Sequence, residues 1–264
     1  MADTTTLQPV REHGWAGGFA NMFRAEAHKW LSTRFGLVQV AIWTLFMNGL
    51  LVVVLLGDMA VVLAEGSQGP GVALEPFVAF TTAFPAIGAI VLAQSAVVGE
   101  KNSGTAEWVL SAPVSRSAFL FSRLLALAVG CIVTMLLIPY AVAALEYSVI
   151  PSPSVPYPVG TMAAAMGMAA LQVLFYLSLT TMLGTMFSSR APVIGIAFAV
   201  YVVSQLVSQF VPGLANLTPM GLTLRALELV IAGSLTSFLP IVTTTIWVVI
   251  FMVLAVWRFQ REDF

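Results

Sequence analysis

The side chains able to do chemistry are few and badly placed for it. His13 and His28 are the two histidines, and neither has a Cys, Asp or second His at metal-ligand spacing, so no metal site is expected. Cys131, the single cysteine, lies in an apolar run; no intrachain disulfide is possible, and a small core residue is the expectation. Gly99 and Gly104 have the spacing of a phosphate-binding loop. Thr105 stands where that loop needs lysine, and the context is an apolar helix end rather than a strand. No nucleophile can be matched with a histidine, because both histidines precede the first apolar run. The chain is expected to bind no nucleotide or cofactor of its own and to catalyse no reaction.

The other polar groups of interest are amides and hydroxyls set inside apolar runs. Gln39, Asn48, Gln94 and Gln172 occur singly. Tyr201, Gln205, Ser208 and Gln209 recur at i, i+4, i+7 and i+8, which is one face of a helix. Two readings stand open for that face: a seam between two copies of the chain or a substrate path, and ordinary helix–helix hydrogen bonding.

The elements that must carry these residues follow from composition. Apolar residues make up 59% of the 264-residue chain and charged residues 9%, where a water-soluble domain has roughly 25%. Such a chain must turn its surface to lipid. The apolar runs are continuous rather than alternating, so the fold class is all-α, a polytopic membrane protein, and not a barrel. A helix needs about 20 residues to cross the hydrocarbon. Six stretches qualify: Phe35 to Gly57, Pro76 to Gly99, Leu124 to Leu145, Gly160 to Phe187, Ala191 to Val211, and Leu239 to Trp257. Pro151, Pro153, Pro156 and Pro158 delay the fourth. The first run lies too far in and is too long for a cleavable signal, so it is expected to remain in the mature protein.

Six spans place Arg11, Arg24, Lys29, Arg34, Lys101, Arg116, Arg123, Arg190, Arg258 and Arg261 on one side, and Arg225 alone on the other. By the positive-inside rule both termini face the cytoplasm. Five or seven spans would scatter these charges. The chain reads as one transmembrane domain, residues 1–264, in the cell (inner or plasma) membrane.

Three segments lie outside the spans. Residues 17–34 carry Phe19, Met22, Phe23, Ala27 and Trp30 at helical spacing, with Arg24 and His28 opposite, which predicts an amphipathic interfacial helix. Glu26 falls in the middle of the apolar face. It is either paired locally with Lys29 or buried as the partner of a basic group elsewhere. Residues 99–117 form a charged connection with a short amphipathic segment from Thr105 to Leu110, after which Ser115 can cap the next helix. Residues 212–238 read as a short helix, re-entrant or interfacial, in which Arg225 and Glu228 pair across one turn.

The connection Glu100-Lys-Asn-Ser-Gly-Thr-Ala-Glu-Trp-Val-Leu-Ser-Ala-Pro-Val-Ser-Arg116 resembles a motif of the permease subunits of type-2 ABC exporters. Glu100, Gly104, Thr105, Glu107, Pro113, Ser115 and Arg116 match it, and Val109 stands where leucine is usual. Phe23-Arg-Ala-Glu26 resembles the family's N-terminal helix, and Met186-Phe-Ser-Ser-Arg190 its link between spans four and five. Within the family the chain is most similar to the six-span permeases grouped with the one serving nitrous oxide reductase maturation.

The resemblance implies a transport subunit that works as a homodimer, driven by a separate ATPase subunit that binds ATP and Mg. Glu100, Lys101, Gly104, Thr105, Glu107 and Arg116 would then form the coupling helix that docks in the ATPase. Tyr201, Gln205, Ser208 and Gln209 would face the dimer seam. Lipid and an accessory extracytoplasmic protein are further expected partners; nucleic acid is not. The alternative is a secondary transporter uncoupled from ATP, which needs acidic residues at mid-membrane. Here the acids cluster at the ends of spans, Glu146 being the nearest approach.

Overall fold

The computed structural model describes residues 17–65, 74–102, 115–149 and 158–261. Among them there is no strand. Helix α1 (Phe19–Leu31) is followed by α2 (Arg34–Glu65) and α3 (Leu74–Asn102). Helix α4 (Arg116–Cys131) continues through a π-helical turn, Ile132–Leu137, into α5 (Ile138–Val149). Then come α6 (Val159–Met186), α7 (Arg190–Phe210), the short α8 (Pro212–Ala215), α9 (Met220–Ala232) and α10 (Leu239–Gln260). Six of these are long and apolar enough to cross a membrane, with α4, the π turn and α5 counting as one.

The expected spans are present, and several helices outrun them. Helix α2 continues beyond Gly57 to Glu65, α3 runs to Asn102 rather than stopping at Gly99, and α4 begins at Arg116 rather than Leu124. Charge and glycine mark where the apolar run stops. Backbone hydrogen bonds continue past that point wherever the chain still favours them. The π turn ends just before Pro139, whose missing amide leaves one helical bond unmade, and Thr134 donates 2.8 Å back to the Gly130 carbonyl within it.

Helix α6 is the hub. In its apolar window 61% of residues are buried, against 22% in α2 and α7 and 17% in α10. Those three helices therefore form the periphery of the single chain. The core falls into an inner set around Ile90, Met135, Val173 and Tyr176, and a second around Leu51, Phe77, Tyr140, Met162 and Leu222.

One end of the bundle gathers the basic residues. Arg116 at the start of α4 donates 2.8 Å to the Gln260 carbonyl at the end of α10. The guanidinium of Arg190, opening α7, lies against Gly99 near the end of α3. Arg261 stacks on Trp257, 4.2 Å from the ring centroid. At the opposite end α9 packs on α3 and α6, with Leu222, Thr223 and Ala226 buried. The expected pair is formed there, Arg225 Nη1 to Glu228 Oε2 at 2.6 Å. Thr236 accepts from Arg225 and donates its backbone amide to Glu228 at 3.2 Å. These bonds hold the Glu228 carboxyl below its usual range, the Thr236 hydroxyl contributing most.

Candidate functional site

Helix α1 lies lengthwise on α4, and both run the same way. Its contact residues are one turn apart: Met22, Glu26 and Trp30. Met22 packs on the cluster of Phe119, Leu120, Ala255 and Phe259. Trp30 lies on Gly130, where a methyl group would run into the indole. The backbone amide of Ser115 donates 3.1 Å to the Gly17 carbonyl, tying the two helix starts together. Arg24 and His28 stay exposed on the other side, as an amphipathic pattern requires.

Between those two contacts sits Glu26. Its Oε2 is 2.9 Å from Lys29 Nζ and its Oε1 is 3.1 Å from Arg123 Nη2. The local pair and the distant partner left open by the sequence both exist. The side chain of Arg123 is 10% exposed and its guanidinium also covers the Phe119 ring at 4.7 Å. A carboxylate set among apolar groups requires such a counter-charge. The three charges, with Trp30, Thr33 and Ser95, line a cleft of about 430 Å³ at the basic end. Arg123 had no assigned role from sequence. The signal for it was indirect, an acid on an apolar helix face that must meet a base.

Of the residues expected in the coupling segment, Glu100 and Lys101 fall in the last turn of α3 rather than in a loop. The segment 99–117 is thus helix at its start and again from Arg116. Ser115 caps α4 as its position suggests, its hydroxyl accepting from the Ala118 amide at 3.1 Å. Gly104, Thr105 and Glu107, with the whole segment from Thr105 to Leu110, lie outside the described residues.

The polar stripe of α7 runs along the border of its buried face. Val193, Ala197 and Ser204 point inward, whereas Val202, Val203, Leu206 and Phe210 point outward. Tyr201 meets the edge of Tyr176 at 5.8 Å and is hydrogen-bonded to the Gln205 side chain. Ser208 donates 2.7 Å to the Gln205 carbonyl. These three share one stretch of helix, and Gln209 is exposed beyond them. Two of the single amides find partners: Gln39 accepts from Trp43 Nε1 at 3.0 Å, and Gln172 accepts from Thr223 at 3.1 Å.

Comparison with known families fits this architecture. The family model described as ABC-2 family transporter protein matches residues 13–264. No protein of curated function matches the chain. With that match spanning nearly the whole sequence and six apolar helices in the fold, the chain belongs to the ABC-2 transporter family and is a multi-pass membrane permease component of an ABC transporter.

Proposed function

We propose that this chain is the permease of an ATP-driven exporter, acting as a homodimer with two separate ATPase subunits that bind ATP and Mg. Both termini face the cytoplasm of a cell-membrane protein, and the ATPase docks on the segment running from Glu100 to Arg116. One observation carries this reading: the Glu26–Arg123 ion pair locks α1 onto α4, the helix that follows that segment. A push on Glu100, Lys101, Gly104, Thr105, Glu107 or Arg116 then moves α1, α3 and α4 together, as levers reaching into the membrane. The polar stripe Tyr201, Gln205, Ser208 and Gln209 lines the seam where the second copy meets α7, itself poorly covered in the single chain.

An ion-coupled carrier is less well supported. Glu146, its nearest candidate ligand, stands one turn from the end of α5 rather than at mid-membrane. The experiment is co-purification of the tagged chain with a co-expressed ATPase, followed by native mass measurement. Two copies of each are expected. A chain that never retains the ATPase contradicts the proposal.

A further inference from the structure

Three polar side chains lie together in a groove between α2 and α5. Thr44 and Asn48 stand one turn apart on α2, and Glu146 faces them from α5. The groove encloses about 560 Å³ and its walls are apolar, among them Leu45, Val52 and Val142. No basic side chain lines it. Asn48 is 14 residues beyond Arg34, roughly 21 Å along the helix, so the groove sits in the half of the membrane away from the basic end.

Its polar atoms are unusually idle. Asn48 is 2% exposed, and neither its amide nitrogen nor its amide oxygen has a hydrogen-bond partner. The Thr44 hydroxyl and one carboxylate oxygen of Glu146 lack partners too. Several hydroxyls elsewhere on the membrane helices are satisfied. Thr81, Thr82, Thr134 and Ser204 each donate to a carbonyl one turn back. The Thr180 and Thr244 hydroxyls and the Gln94 amide oxygen also go without, but none of these three side chains lines the groove. Among the described residues, a hydroxyl, a whole amide and one carboxylate oxygen stay idle together along the α2–α5 groove. Leaving them so is costly in a medium that offers no water.

We propose that this groove binds the head of a single-chain amphiphile bearing a primary ammonium next to a hydroxyl. The ammonium supplies three donors and one positive charge. Glu146, Thr44 and the Asn48 oxygen supply acceptors and the negative charge. The ligand hydroxyl accepts from the Asn48 nitrogen, which a plain amine leaves unmet. The alkyl chain lies along the apolar walls, already at lipid depth.

Binding at this groove needs no ATPase, so its failure leaves the exporter reading untouched. The test uses the purified chain in phosphatidylcholine nanodiscs with 2-aminododecan-1-ol carrying a diazirine on its chain, and mass-spectrometric mapping after photolysis. Label is expected on residues 40–52 and 138–146. Unlabelled 2-aminododecan-1-ol should compete at least about tenfold better than dodecane-1,2-diol, and Glu146→Gln should weaken binding by a similar factor. Should Glu146→Gln fail to fold, Thr44→Val and the diol competition carry the test without it. The proposal is overturned by label spread evenly over the apolar faces of α7 and α10, by equal competition from amino alcohol and diol, or by binding that Glu146→Gln leaves unchanged.

Discussion

Arg123 Nη2 lies 3.1 Å from Glu26 Oε1, so a residue of the first helix and one of the fourth share a single ion pair. The carboxylate is also held by Lys29 at 2.9 Å, which leaves two cations converging on one anion. Removing the anion sets Arg123 and Lys29 against each other. Glu26→Gln and Arg123→Gln should each lower stability by about 1–3 kcal/mol, and the double variant should lose clearly less than the sum. Thermal unfolding of the four proteins in one detergent reads the coupling. Strict additivity would mean that the two charges are neighbours with no energetic link.

Trp30 rests on Gly130, where no larger residue fits. Gly130→Leu should push the indole away and undock α1, at a cost of about 1–3 kcal/mol from overpacking. Limited proteolysis between residues 17 and 33 is the readout, with faster cleavage expected. Gly167→Ala on α6 is the control, since nothing lies within 4 Å of the added methyl. It should be neutral or stabilise the helix by up to about 1 kcal/mol.

Glu228 gives the fold a pH signature. Its folded-state pKa lies below the ordinary value, chiefly through the Thr236 hydroxyl and then through the Thr236 amide and Arg225. A depressed carboxylate stabilises the fold above the unfolded pKa, about 4.3, and that contribution fades as pH falls through the folded value. Wild type should therefore melt higher than Glu228→Gln at pH 6–7, and the gap should close toward pH 3. Thr236→Val should show a smaller effect of the same sign. A gap that is constant with pH would place the effect in packing.

The seam is tested by crosslinking. Gln205 sits on the border of the buried face of α7, while Val202 points outward. Cysteine at Gln205 should crosslink between copies of the chain, and cysteine at Val202 should do so less. The reverse pattern would move the contact to another face of α7.

Orientation has its own check. Cysteine at Ser67 should react with an impermeant reagent from outside the cell, and cysteine at Ser103 should not. Reversed labelling would turn the whole scheme over.

Much of this fold was legible because lipid imposes one rule, continuous apolar length. The fifth span, read as 191–211, is helix α7 at Arg190–Phe210. The Arg225–Glu228 pair and the Ser115 cap were readable from spacing of three residues within one turn. Helix ends were less legible, since α2 and α3 continue where the apolar run has stopped. Long-range neighbours were invisible: nothing near Glu26 names Arg123 as its partner, and nothing near Asn48 says that Glu146 shares its groove. Only folding brings α1 to α4 and α2 to α5. The glycine at 130 was equally silent, because its reason is a tryptophan 100 residues earlier.

The coupling proposed above has ATP hydrolysis by a partner drive this chain through the segment between α3 and α4. The direct measurement is ATPase activity in proteoliposomes of the chain alone, the ATPase with the chain, and the ATPase with the Glu107→Lys variant. The account predicts no hydrolysis by the chain alone, hydrolysis stimulated by the wild-type chain, and loss of that stimulation with Glu107→Lys despite normal membrane insertion. ATP hydrolysis by the purified chain, or stimulation by Glu107→Lys equal to wild type, would contradict it.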